Sequence, residues 1–294
     1  MKSKFLFPTW CNIVGYLMVI PGFVLGYLFI FHNYEIPGFG FQMREKSNLF
    51  QNAFENFTNE LAVFLVIVGL LFIAFSKGKK EDELTARLRL NSLYWSVMIY
   101  YIIYNFGFLL VNYIKEIPFV GEHILELNIF SPLLIFIIRY YYLKYAKADS
   151  FVVGKPKFLP NVPFRSVGVI LTLIGLTVFV FEAKDNIIFS SNDLLFVISY
   201  FVMITGLLVW SFSKNKIEDE MVMQQRLESL QLAVYFNYGV LLLGTLLFYS
   251  AFYLFLMLYA QFSLLVYFVL RMEYVRFRNN KQLNTFEEGM NYEK

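Results

Sequence analysis

The chain has 294 residues, of which 58% are hydrophobic and 16% are charged, and its formal net charge is +3. Soluble domains are about 45–50% apolar and about 25% charged, so this composition excludes an ordinary soluble domain. A single cysteine excludes an internal disulfide and a cysteine metal cluster.

The charged residues are clustered, and the windows between them carry no charge over lengths that suit membrane crossing. About 20 apolar helical residues span a hydrocarbon layer of about 30 Å, so the sequence predicts an all-α polytopic membrane protein with eight transmembrane helices. The uncharged window 229–270 is 42 residues long, and we divide it near Tyr249 into two spans. The predicted spans are residues 10–31, 58–76, 90–112, 123–143, 165–182, 193–213, 228–249 and 252–271.

The lysines and arginines are distributed unevenly between the two faces that eight spans define. Of the 25 basic residues, 21 lie in segments that share one face, and four lie in segments of the other. Cytoplasmic segments of membrane proteins carry an excess of lysine and arginine. We therefore expect both termini to be cytoplasmic.

One stretch of the sequence occurs twice. Residues 75–93 return as residues 212–230, with eleven of the nineteen aligned positions identical. Because a unit of four spans re-enters the membrane from the same side, the duplication predicts two parallel four-helix repeats. We expect the first at residues 1–150 and the second, with a short cytoplasmic tail, at residues 151–294. Weaker matches pair Gly15 and Gly22 with Gly168 and Gly175, Gly69 with Gly206, and the run 131–139 with 263–271.

The duplicated stretch contains three acidic residues where the third and seventh helices are expected to begin, about two turns before each enters the bilayer. Carboxylates in a first turn interact favourably with the helix dipole and with free backbone N–H groups. Glu83 and Arg87 are four residues apart, and Asp82 and Arg89 are seven apart, so each pair shares a helical face.

Two interpretations of this motif stay open. It is a solvated helix start that fixes topology, or it is a docking surface for a cytoplasmic protein or a charge network that joins the two repeats. The motif residues are Glu81, Asp82, Glu83, Arg89, Glu218, Asp219, Glu220 and Arg226.

The string F-S-K-x-K-x-E-D-E followed by R-L-x-S-L resembles an uncharacterised family of bacterial multi-pass membrane proteins. Its two copies extend this resemblance over nearly the whole chain. The stretch is also similar, more loosely, to small membrane proteins with a D-E…R stretch before a helix, often encoded beside transcriptional regulators. The first resemblance implies a location in the bacterial inner membrane. The second implies a regulatory role, and neither implies a reaction.

Ionisable residues are almost absent from the predicted helix centres, where they would indicate an ion or substrate path. Asn105, Asn237 and Gln261 are the strongest polar groups there, and we expect each to bond to a neighbouring helix rather than to a substrate. Pro21 could break or kink the first helix. Gly22 and Gly26 form a G-x-x-x-G motif, which predicts close helix packing.

Histidines and carboxylates collect near the predicted external face. His32, His123 and Glu126 are weak candidates for a divalent-cation site, although polar residues at helix ends are the commoner explanation. The sequence contains no metalloprotease motif, nucleophile elbow or phosphate loop. No catalytic residue and no cofactor are therefore predicted.

The sequence favours a non-enzymatic regulatory or scaffolding membrane protein that acts through its duplicated acidic helix starts. The partners expected are the lipid bilayer and a cytoplasmic protein, without nucleic acid. The first alternative is a small-molecule transporter or channel that uses the interface between the repeats, and the least favoured is an intramembrane enzyme that acts on a lipid. The oligomeric state stays open.

Overall fold

Eight α-helices make up most of the part of the chain that this computed structural model describes. The described residues are 5–42, 45, 54–78, 81–113, 118–146, 156–185, 194–215, 220–248 and 251–292. Within these ranges, the side chains of residues 112, 113, 118–124, 126, 127, 146, 183–185, 251, 254 and 283–292 are not described.

The helices are α1 (Cys11–His32), α2 (Thr58–Phe75), α3 (Glu83–Tyr113), α4 (Pro118–Tyr141), α5 (Phe164–Asp185), α6 (Leu194–Ser211), α7 (Glu220–Leu247) and α8 (Ala251–Tyr292). A π-helix, Tyr142–Ala146, continues α4.

Seven of these helices are long and apolar enough to cross a membrane: α1, α2, α3, α5, α6, α7 and α8. This property indicates a multi-pass membrane protein. The search covered only described residues, and much of α4 has no described side chains. The eighth span therefore stays a prediction.

The helix boundaries agree with the charge pattern at the positions that matter for the motif. The third and seventh helices begin at Glu83 and Glu220, each about two turns before the predicted span, as expected. The long uncharged window is divided between Leu247 and Ala251, close to the predicted break. Only α8 differs clearly, because it continues to Tyr292, well past the predicted end of its span.

A short β-hairpin, which the sequence does not predict, lies between α1 and α2. Helix α1 ends at His32 and is followed by Asn33, whose φ of 48° is left-handed, a common way for a helix to end. Strands β1 (Gly40–Gln42) and β2 (Phe54–Asn56) then pair antiparallel, with Phe41 opposite Glu55.

The chain forms two compact units. The first holds residues 1–104, 115–156 and 237–261, and the second holds residues 105–114, 157–236 and 262–294. The predicted repeat boundary near residue 150 lies outside the described residues and stays a prediction.

In the first unit, glycines bring α1 and α2 close together. A Cβ at Gly15 would lie 2.7 Å from the carbonyl oxygen of Gly69, and a Cβ at Gly22 would lie 2.9 Å from Val66 Cγ2. Real Cβ contacts are almost never this short, so these positions need glycine. Small residues at helix interfaces allow such close backbone approach in membranes.

In the second unit, α5 and α6 pack in the same way at the aligned positions. A Cβ at Gly168 would lie 2.5 Å from the backbone nitrogen of Trp210, and one at Gly175 would lie 2.5 Å from that of Met203. The outer faces of α1 and α5 expose large apolar side chains, including Leu17 and Ile20 on α1, and Ile170 and Leu173 on α5. In a membrane protein such faces contact lipid.

Candidate functional site

The segment that follows α2 pairs with the segment that precedes α1. Phe7 and Ser76 form a parallel β-bridge. The Phe7 N–H donates to the carbonyl oxygen of Phe75 at 3.0 Å, and the Lys77 N–H donates to that of Phe7 at 2.9 Å. The phenylalanine, serine and lysine that open the motif therefore fix where the chain enters α1.

The second copy makes the same bridge. Leu159 and Ser213 pair in parallel, the Leu159 N–H donates to Phe212 O at 2.9 Å, and the Lys214 N–H donates to Leu159 O at 2.8 Å. Phe7 and Leu159 have unlike side chains, and in both copies backbone hydrogen bonds form the bridge. Sequence comparison of these two residues gives no signal that could have predicted it.

Arg89 is the buried cation of the first copy and is 3% exposed. Its guanidinium donates to Glu81 Oε1 at 2.8 Å, to Glu81 Oε2 at 3.3 Å and to the Ser76 carbonyl oxygen at 3.2 Å. It also donates to Tyr140 Oη at 3.3 Å and lies 5.3 Å from that ring's centroid. One side chain thus joins the start of α3, the end of α2 and α4.

Arg226 repeats this arrangement in the second copy and is 2% exposed. Its Nη1 donates to the Ser213 carbonyl oxygen at 2.8 Å and to the Ser211 carbonyl oxygen at 3.2 Å. Its guanidinium lies 4.4 Å from the centroid of the Phe158 ring. The shared element is therefore a buried arginine that holds the carbonyl of the motif serine.

Burial accounts for part of the identity between the two copies of the duplicated stretch, since the buried Ala86 and Asn91 differ between the copies and the exposed Asp82 and Glu83 do not. Positions 84, 85, 87 and 88 differ between the copies and are half-buried or exposed. By contrast, five identical positions are at most 5% exposed in either copy. They are Phe75, Ser76, Arg89, Ser92 and Leu93, with Phe212, Ser213, Arg226, Ser229 and Leu230.

The three acidic residues of the first copy have different roles. Glu81 is 19% exposed, forms the ion pair with Arg89 and accepts a hydrogen bond from the Gly78 N–H at 2.6 Å. Asp82 accepts hydrogen bonds from the Thr85 hydroxyl at 2.6 Å and the Thr85 N–H at 2.7 Å. These two bonds lower the pKa of Asp82. Asp82 therefore caps α3, and the expected relation between Asp82 and Arg89 is replaced by the pair of Arg89 with Glu81.

The third acid, Glu83, is exposed and pairs with Arg87 at 2.8 Å, as the spacing predicts. In the second copy Glu220 is exposed, and Gln224 stands at the position of Arg87 and donates to Glu228 at 2.9 Å. Glu218 and Asp219 lie outside the described residues.

One contact beside the motif differs in chemistry between the two copies. Asn12 of α1 donates to Tyr141 Oη at 3.3 Å. The aligned positions are Arg165 and Glu273, which form an ion pair, and Trp210 Nε1 also donates to Glu273 at 3.2 Å. The position of the contact is kept, whereas its chemistry has changed from neutral to charged.

Two of the predicted interior polar residues, Asn105 and Gln261, bond to neighbouring helices. Asn105 donates to Thr205 Oγ1 of α6 at 2.8 Å. Gln261 accepts from Tyr100 of α3 at 3.2 Å and donates to the Leu125 carbonyl oxygen of α4 at 3.3 Å. Asn237 is 5% exposed. These contacts match the expected role of such residues in helix association.

The candidate cation site gains no support from the described residues. His32 is exposed, and its ring lies 5.7 Å from that of Tyr27. The side chains of His123 and Glu126 lie outside the described set. Among the described side chains, no group of three histidines, cysteines or carboxylates is arranged to hold a metal ion.

Comparison of the chain with protein-family models, with curated proteins and with solved structures finds no match. The fold and the site therefore indicate only the class of protein. It is a multi-pass helical membrane protein in which a motif with a buried arginine occurs twice. Its function has to be argued from geometry.

Proposed function

We propose that this chain is an eight-span protein of the bacterial inner membrane, built from two parallel four-helix repeats, with both termini in the cytoplasm. It is non-enzymatic and has a regulatory or scaffolding role. It binds a basic segment of a cytoplasmic protein through the acidic starts of α3 and α7.

The repeat architecture is supported by contacts that recur at aligned positions. Gly15 and Gly168 make equivalent close approaches to the next helix. Arg89 and Arg226 each hold the carbonyl of the motif serine. Unrelated helix pairs have no reason to repeat both kinds of contact in register.

The observation that carries the binding proposal is the division of the motif into a buried half and an exposed half. The buried arginines fix the start of each helix, while Asp82, Glu83 and Glu220 remain exposed. A preorganised surface binds with a smaller entropic cost, and complementary charge accelerates encounter with a basic partner. The fixed acidic helix starts therefore suit protein docking.

Transport through the repeat interface is the alternative, and the described contacts favour it less. Gln261 accepts one interhelical hydrogen bond and donates another, and the Asn105 amide donates one. Helix α1 continues through Pro21 without the interruption that transporter sites use.

The test is affinity capture of the protein in nanodiscs from its native cells, read by mass spectrometry. The variant combines Asp82→Asn, Glu83→Gln and Glu220→Gln. Asparagine keeps the side-chain acceptor that caps the helix, so this variant removes charge and spares the cap. We expect a cytoplasmic protein to be captured with the wild type and lost from the variant.

The matched control is Glu35→Gln with Glu45→Gln, two exposed acids in the segment predicted on the opposite face. This control should retain the partner at equal membrane level. If the wild type, the variant and the control capture the same proteins, the acidic helix starts do not bind a partner and serve only to fix topology. Transport assays would then follow.

A further inference from the structure

An apolar cavity of about 260 Å³ lies in the first unit where α1, α2 and α4 meet. We call it the Gly26 cavity. One edge is closed by Phe23 and Phe130, whose rings meet edge to face at 5.3 Å. Tyr27 and Phe31 are 54% and 52% exposed, and they mark its open side. The lining also includes Gly22, Ala62, Val63, Val66, Ile67 and, as its polar member, Asn59.

The cavity lies beside Gly26, where α1 and α2 are farther apart than they are at Gly22. A Cβ at Gly22 would lie 2.9 Å from Val66, whereas a Cβ at Gly26 would have Ala62 Cβ as its nearest neighbour, at 3.9 Å. The G-x-x-x-G motif thus makes the predicted close approach at its first glycine only. Beyond it the helices leave open space.

The second unit fills the aligned space with aromatic rings. Phe179 stands where α1 has Gly26, and its ring lies 5.1 Å from Phe196 and 5.7 Å from Tyr200. Phe196 and Tyr200 are aligned with Asn59 and Val63. One turn earlier, Gly22 of α1 packs against Val66 and Gly175 of α5 packs against Met203, and these two neighbours are also aligned. The alignment of α1 with α5 therefore agrees with that of α2 with α6. In the second unit, the ring of Phe179 therefore fills the space that the Gly26 cavity leaves open in the first unit.

The chemistry of the cavity selects an apolar guest. An apolar cavity of about 150 Å³ stays free of water and binds benzene, so a cavity of about 260 Å³ accepts a longer hydrocarbon group. Its open side lies on α1, whose outer face exposes large apolar side chains along its whole length. In a membrane-spanning helix this face contacts lipid, so lipid acyl chains are the hydrocarbon groups that lie next to the open side of the cavity.

We propose that the Gly26 cavity is a binding site for one acyl chain of a membrane lipid. The chain enters beside Tyr27 and occupies the volume that Phe179 occupies in the second unit. This site goes beyond the proposed protein-docking function and needs only that α1 and α2 lie in the bilayer.

The experiment places the full-length protein in phospholipid vesicles that contain a phospholipid with a diazirine near the end of one acyl chain. After illumination, labelled residues are located by peptide mass spectrometry. The plug variant is Gly26→Phe, which copies the second unit. The control is Val24→Phe, which adds the same ring on the exposed side of α1.

We expect wild type and Val24→Phe to be labelled on lining residues such as Val63 and Phe130. Gly26→Phe should lose this labelling and keep the labelling of Leu17 on the outer face. If Gly26→Phe does not fold, Val63→Tyr makes the same test with a second ring taken from the aligned position. Unchanged labelling of the lining in a folded plug variant, or no labelling of the lining in wild type, would overturn the proposal.

Discussion

Replacement of Arg89 by leucine tests whether the buried arginine holds the motif together. Arg89 is 3% exposed and donates to Glu81, to the Ser76 carbonyl oxygen and to Tyr140. Removing one partner of a buried ion pair costs about 3–5 kcal/mol. Glu81 keeps 19% exposure and is partly rehydrated, so the lower end applies. We expect Arg89→Leu to lower the free energy of unfolding by about 3 kcal/mol.

The assay is thermal unfolding of the purified protein in mild detergent, followed by the fraction that stays monodisperse. At about 2–4 °C per kcal/mol, Arg89→Leu should lower Tm by about 6–12 °C. Arg87→Leu is the matched control, since Arg87 lies on the same helix and pairs with Glu83 at 62% and 50% side-chain exposure. An exposed pair contributes little to stability, so Arg87→Leu should leave Tm nearly unchanged. Equal decreases in Tm for Arg89→Leu and Arg87→Leu would refute the claim that the buried Arg89 stabilises the fold more than the exposed Arg87 does.

Three further predictions rest on single contacts. Gly15→Ala should lower the free energy of unfolding by about 1–3 kcal/mol through overpacking, because the new Cβ would lie 2.7 Å from a carbonyl oxygen of α2. Gly26→Ala is the control and should leave Tm unchanged, because its Cβ would lie 3.9 Å from its nearest neighbour. Equal decreases in Tm for the two variants would contradict this prediction. Asn105→Leu removes an interhelical hydrogen bond and should cost about 0.6–2 kcal/mol in the same assay, so an unchanged Tm would count against that bond. Hydrogen bonds lower the pKa of Asp82 from its ordinary 3.8, so the carboxylate stabilises the fold above that pH and this stability is lost as the pH falls through the lowered pKa. The Tm difference between wild type and Asp82→Ala, which lacks the side-chain acceptor, should therefore shrink as the pH falls from about 5 towards the lowered pKa, and a constant difference would argue against the cap.

The helices and most of their limits follow from the charge pattern of the sequence, although α8 continues to Tyr292, past its predicted end. Charge-free windows mark the apolar helices, and acidic residues mark the starts at Glu83 and Glu220. The β-hairpin between α1 and α2 could not be predicted, because strands of three residues carry too little alternation to separate from loop.

The partner of Arg89 could not be predicted from helical spacing. That spacing relates residues within one helix, and Glu81 lies just before the first residue of α3. Glu81 contacts both Arg89 and the Gly78 N–H. Repetition within the sequence marks the stretch, whereas only the fold shows that five of its eleven identical positions are buried in both copies.

The two glycines of the G-x-x-x-G motif also show that spacing within one helix does not predict contacts with another helix. The spacing predicts that Gly22 and Gly26 both face a neighbouring helix, but the distance to that helix depends on residues elsewhere. Val66 closes the space beside Gly22, and Ala62 is too small to close it beside Gly26. The cavity is visible only once α2 and α4 are in place.

The most direct test of the account asks on which side of the membrane the two copies of the motif lie. Cys11 is the chain's single cysteine and is 3% exposed, so a Cys11→Ser background allows one new thiol at a time. Cysteines at Glu83 and Glu220 would be treated with a membrane-impermeant maleimide in spheroplasts, before and after permeabilisation, with Glu35→Cys as the external control. The account predicts that both motif positions react only after permeabilisation and that the control reacts before it. Labelling of the two motif positions from opposite sides would contradict parallel repeats and the shared cytoplasmic docking surface.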